Sequence, residues 1–98
     1  MRTKTLDYYK DPDNEWIKVS IRCPVLKSIL HKISNASYYL DTNVYLEKDT
    51  DAEIYFNAVK ESGKYNLNFR YHNSDTPSEI RSYDSVIFFK KQFGYDHD

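Results

Sequence analysis

The chain has 98 residues, with 14 Lys+Arg against 15 Asp+Glu and a net charge of −1 at pH 7. That length supports one core, covering about two thirds of the surface an unfolded chain would expose, and excludes a second domain. Apolar residues at 40% and aromatics at 16% exclude a disordered chain, and near-neutrality excludes a global pull on nucleic acid or anionic lipid, so any such binding needs a local patch.

Cys23 is the single cysteine, so no internal disulfide forms, which fits a reducing compartment. The opening MRTKTLDYYKDPDNEW has no apolar stretch of signal-peptide length, and no apolar run approaches the roughly 20 residues that span a bilayer. The expectation is a soluble protein of the cytoplasm. Ten tyrosines against two glycines stand out. Tyrosine buries a ring and keeps a hydroxyl for water or a partner, so it serves core rims and contact surfaces alike.

Residues 1–14 read as a polar arm or loop. In EWIKVSIR, Ile17, Val19 and Ile21 alternate with Lys18, Ser20 and Arg22, the period of a half-buried strand. Cys23-Pro24 ends it, and proline suits a first helical position. Val25, Leu26, Ile29, Leu30 and Ile33 then mark a helix over 24–34, stopped by Ser34-Asn35. SYYLDTNVYLE reads as two short strands around Asp41-Thr42-Asn43. Tyr38, Leu40, Val44 and Leu46 are expected on one face, and Tyr39, Tyr45 and Glu47 on the other.

Thr50-x-x-Glu53 matches a capping box, and Ala52, Tyr55, Phe56 and Val59 form one apolar face of a helix over 51–62. Gly63 supplies its left-handed stop. KYNLNFRYH alternates, with Tyr65, Leu67, Phe69 and Tyr71 expected inward and Asn66, Asn68, Arg70 and His72 outward. NSDTPSE is a loop, SVIFFKK a last short strand, and GYDHD a frayed tail. The expectation is an α+β two-layer domain: an antiparallel sheet, two helices on one face, ferredoxin-like βαββαβ order and an extra C-terminal strand. Its core is placed at 15–89, with 90–98 as the tail.

Tyr45-Leu46-Glu47, Asp51-Ala52 and Arg81-Ser82-Tyr83, with KISNASYYLDTN before them, form a pattern over residues 33–85. It resembles a family of small hypothetical proteins encoded by bacteriophages and plasmids. The opening strand EWIKVSIRCPV departs from that family's glycine-containing start. The resemblance implies a mobile-element origin and no particular enzymatic activity. Small accessory proteins of this origin often act on a host protein or ribonucleoprotein complex, restriction and CRISPR systems among them.

No catalytic set emerges from the residues. His31, His72 and His97 have no metal-ligand spacing, and Cys23 has no cysteine companion, so no zinc site is expected. Cys23 sits just before a helix start, where a thiol is activated, yet no base is identifiable beside it. Glu47, Asp49, Asp51 and Glu53 offer oxygen ligands for a divalent cation but lack the glycine of an EF-hand loop. They read first as a solvated helix start, with an acidic contact patch for a basic partner as the functional alternative. With only Gly63 and Gly94, no phosphate-binding glycine loop exists.

The resemblance, together with the lack of a catalytic set, implies a non-enzymatic accessory protein that binds and modulates or inhibits a host protein, with no cofactor or metal expected. Its candidate contacts are Glu47, Asp49, Asp51, Glu53, Tyr39 and Tyr45. The alternative is binding of single-stranded nucleic acid on the outer sheet face, led by Trp16, Lys18, Arg22, Arg70 and His72. A self-associating virion component is a third reading.

Overall fold

The computed structural model describes residues 2–86 of the chain. Its order is β1 (Arg2–Lys10), β2 (Glu15–Ser20), α1 (Pro24–Ile29), β3 (Tyr38–Leu40), β4 (Asn43–Glu47), α2 (Glu53–Ser62), β5 (Tyr65–Asn73) and β6 (Asp84–Ser85). Short 3-10 turns at Leu30–Lys32 and Glu79–Ser82 and a wide π-type turn at Lys48–Ala52 complete it.

The strands make one six-stranded mixed sheet in the order β5-β1-β2-β4-β3-β6. This corrects the ferredoxin-like expectation. Two strands precede the first helix, and β1 pairs with β5 in parallel over its whole length, Arg2 with Tyr65 through Lys10 with Asn73. The other pairs are antiparallel. The residues read as an arm are thus mostly the strand RTKTLDYYK, joined to β2 by a short turn closed by the Asp11 N–H on the Asn14 carbonyl. The strand's alternation is real but disguised. Leu6 is buried in the helix-side core and Tyr8 packs against it, while Lys4, on the same face, lays its ammonium 5.4 Å from the centre of the Tyr65 ring. A charged residue fills an inward position because its stem is apolar and its head reaches water.

One face of the sheet carries both helices. Ile17, Val19, Val44 and Leu46 meet Val25, Leu26 and Ile29 of α1 and Tyr55 and Val59 of α2, with Ala52, Leu30 and Ile33 sealing the layer. α2 is half of a crossover: it leaves β4, passes the sheet and returns the chain beside β1 as β5. A parallel pair needs such a connection. α2 ends as its sequence requires, on Gly63 with φ 64° and its N–H on the Val59 carbonyl.

Its start differs from the capping box. The chain is already coiled through Lys48–Ala52, and α2 begins after Ala52 without a side-chain cap. Asp51 fastens the entry instead: it is 1% exposed and accepts hydrogen bonds from the Ser34 N–H and hydroxyl and from the Ser37 hydroxyl.

The β3–β4 hairpin corrects a second expectation. Leu40 pairs with Asn43, so the turn holds only Asp41 and Thr42, with Asp41 at φ 56°. A turn one residue shorter exchanges the faces of the incoming strand. Tyr38 therefore opposes Tyr45 on the outer face, and Tyr39 opposes Val44 on the helix side.

The outer face holds a second, smaller core of Trp16, Tyr45 and Ile80, flanked by Tyr9, Tyr38 and Tyr83. β6 covers only Asp84 and Ser85, and the Val86 N–H bonds the Ser37 carbonyl. The rest of the expected strand SVIFFKK, and the tail GYDHD with His97, lie outside the described residues.

Candidate functional site

The outer face divides between β2 and β1. Over β2 and β4 the 3-10 turn Glu79–Ser82 forms a lid. Ser78 begins it, its hydroxyl accepting the Ile80 N–H. Ile80 drops onto the sheet, and the Arg81 guanidinium lies 5.6 Å from the centre of the Trp16 ring.

Asp11, in the β1–β2 turn, fastens the lid. Its buried carboxylate accepts Arg81 Nε at 2.6 Å and the second guanidinium arm at 2.9 Å. It also accepts the backbone N–H groups of Asp13, Asn14 and Ser78. Five donors on one carboxylate leave few oxygen lone pairs unpaired, which is what a buried acid requires. Arg81 and these amides hold the Asp11 carboxyl well below the usual carboxylate range, against the opposing effect of burial. Beneath the lid, burial pushes the Tyr45 hydroxyl up to about 12, helped by the neighbouring Tyr83 and Tyr9.

This lid decides the fate of the nucleic-acid candidates. Trp16 is 0% exposed, so its ring has no free face for a base to stack on. Lys18 is half-buried in the sheet and Arg22 is exposed in the β2–α1 connection. Arg70 and His72 lie two strands from Trp16 on β5, both turned onto Asp7 of β1, at 3.5 and 2.9 Å. His72 also stacks on Tyr9 at 4.8 Å. The ferredoxin-like expectation sets β2 and β5 side by side; the insertion of β1 separates them.

The protein-contact candidates divide as well. Asp51 is not a surface acid, because Ser34 and Ser37 draw it under the loop before β3. Tyr45 is buried under the lid, and Tyr39 packs half-buried on the opposite face. Glu47 is half-exposed, while Asp49 and Glu53 are exposed. Among the described residues these three form no ion pair, whereas Asp7, Asp11, Asp13 and Glu15 each do.

Beside them stands an aromatic–acid corner the sequence did not single out. The Tyr8 hydroxyl donates to Glu15, which also takes Lys48 Nζ at 3.2 Å, and the Tyr8 ring meets Tyr71 at 5.0 Å. Burial holds the Tyr8 hydroxyl well above the usual phenol range, assisted by Glu15 and by the nearby charge of Asp49. The signal available in sequence was DYYK itself, unreadable once residues 1–14 are taken as an arm.

Cys23 is buried at the β2–α1 junction. Its Sγ lies 3.3 Å from the Tyr65 hydroxyl and 3.7 Å from that of Tyr55, and the two hydroxyls are 3.2 Å apart. Burial pushes the thiol pKa up, but hydrogen bonds from Tyr65, the Leu26 amide and Tyr55, with the charge of Lys4, more than offset it, and the net shift is downward. His31 is exposed. Among the described residues no group of three His, Cys, Asp or Glu is placed to hold a metal ion, and no helix is long and apolar enough to cross a membrane. No family model, curated protein or solved structure matches this chain.

Proposed function

We propose that this chain is a non-enzymatic, cytoplasmic accessory protein of a phage or plasmid that docks onto a basic surface of a host protein or ribonucleoprotein complex and modulates or inhibits it, a defence system such as CRISPR or restriction being the kind of target its resemblance suggests. The observation that carries the reading is the clustering of Glu47, Asp49 and Glu53 around one end of the sheet, none of them in an ion pair among the described residues, where Asp7, Asp11, Asp13 and Glu15 each have one. Three carboxylates fixed by β4, the π-type turn and the first turn of α2 present negative charge without a large ordering cost. The Tyr8–Glu15 corner beside them adds an aromatic ring, a group whose face attracts the cationic heads of Lys and Arg. A partner whose groove normally takes nucleic acid would be steered onto such a surface, and the attraction would weaken as salt rises.

The test compares capture from a bacterial host lysate by the wild-type chain and by Asp49→Lys/Glu53→Lys. Both sites are exposed, so the variant retains the fold. A protein held by the wild type at low salt, lost with the variant and released by added salt, is the expected result. An identical captured set for the two chains would defeat the proposal. So would salt-sensitive binding of mixed single-stranded oligonucleotides with no captured protein.

A further inference from the structure

We propose that β5 is the seam of a symmetric homodimer, pairing antiparallel with β5 of a second copy to continue the sheet across the two chains. This goes beyond the docking surface above and does not depend on it. β5 ends the sheet, and among the described residues no strand pairs with its outer edge. The Ser74 N–H bonds the Lys10 carbonyl, so along the strand the even-numbered residues turn their backbone groups to β1. Tyr65, Leu67, Phe69, Tyr71 and Asn73 turn theirs outward. Along this nine-residue strand those five residues leave a row of outward donors and acceptors with no partner strand among the described residues, a template for another strand.

The usual guards against such pairing are missing. β5 contains no proline, no glycine and no lysine. Arg70 and His72, its basic side chains, are both drawn back over the sheet onto Asp7 and do not shield the edge. On the helix side the cover stops short. Phe56 of α2 reaches Phe69 at 5.6 Å, but Tyr71 remains 63% exposed, and Tyr65, Leu67 and Phe69 are only half-buried.

A second copy fits this edge. With Phe69 as the midpoint of Tyr65–Asn73, antiparallel self-pairing sets Phe69 opposite Phe69, Leu67 opposite Tyr71 and Tyr65 opposite Asn73, all with outward-facing amides. On the outer face it sets Arg70 opposite Asn68 and His72 opposite Asn66. Arg70 and His72 each meet an amide and no like charges oppose, while the partly covered apolar strip closes on itself. The last described residue, Val86, is tied to Ser37 at the opposite side of the sheet, five strand spacings or roughly 24 Å away. Crossing that gap would use about seven of residues 87–98 fully extended and leave about five for a nine-residue edge, whereas a second copy pairs along the whole of it.

The test is sedimentation of the full chain from about 1 to 500 µM, with Asn68→Lys and Asn68→Glu, both at an exposed site. The wild type is expected to dimerise. Asn68→Lys sets a cation against Arg70 of the second copy twice by symmetry and weakens the dimer about tenfold, whereas Asn68→Glu strengthens it. Amide hydrogen exchange should slow with concentration at Leu67, Phe69 and Tyr71. A monomer throughout the range overturns the proposal. If those amides are protected in that monomer, residues 87–98 occupy the edge; if not, the edge is bare. A dimer indifferent to both substitutions overturns it too, since the seam then lies elsewhere.

Discussion

On β2 and β4 the outer-face rings of Trp16 and Tyr45 lie beneath Ile80 and Tyr83; on β5 the outer-face residues Asn66, Asn68, Arg70 and His72 stand in solvent. Both regions use aromatics beside charges. What separates them is a partner for the carboxylate. Asp11 reaches across to a segment about seventy residues on, and its bonds to Ser78 and Arg81 hold a lid over the rings. Asp7 reaches only to the next strand, so its ion pair with Arg70 and its contact with the His72 ring remain on the surface and cover nothing. A buried acid with its donors satisfied organises a second core, whereas an exposed one decorates a wet face.

Trp16→Ala should produce the largest effect. It opens a cavity under the lid, and loss of a fully buried Trp costs about 3–5 kcal/mol, read as a drop in denaturation midpoint. The indole Nε1 has no hydrogen-bond partner among the described residues, so Trp16→Phe removes a buried donor along with the volume and should cost clearly less than Trp16→Ala. Equal losses in the two variants would mean that the indole itself, and not the volume it fills, matters there.

Asp11→Ala comes next, at about 2–4 kcal/mol, because it leaves Arg81 and three backbone amides without their acceptor. It should also release the lid, seen as faster amide exchange at Ile80 and Tyr83. A variant with Ile80 as protected as in the wild type would show that the lid rests on its apolar contacts alone.

The same carboxylate sets a pH dependence. Its folded pKa lies below its unfolded value near 3.9, so the folded state favours the charged form. That stabilisation is fully present above the unfolded pKa and fades as pH falls through it toward the folded one. Thermal midpoints of the wild type and Asp11→Asn should therefore lie far apart at pH 6 and draw together below about pH 4. A gap constant with pH would mean that Asp11 acts through shape and not charge.

The smallest effect belongs to the open region. Arg70→Ala removes a solvent-exposed pair and should change stability by less than about 0.5 kcal/mol in the monomer. A loss as large as that of Asp11→Ala would erase the distinction between the two regions.

Local pattern alone determined several elements. The alternation of Ile17 with Val19, the apolar stripe from Val25 to Ile29, the face of Ala52, Tyr55 and Val59, and the stop at Gly63 each arise from contacts within a few residues, and periodicity reports them directly. What it left open depends on residues distant in the chain. RTKTLDYYK becomes a strand because β5 offers it a parallel edge, and Lys4 is tolerated inward because Tyr65 receives it. One residue in the Asp41-Thr42 turn decides which tyrosine of β3 faces the helices. Asp51 and Asp11 look like any surface acids in a sequence; only folding brings Ser34, Ser37 and Arg81 to them and makes one a fastening and the other a clasp. Hydrophobic period is a property of neighbours along the chain, but the burial of a charge is settled by donors that only the tertiary structure delivers.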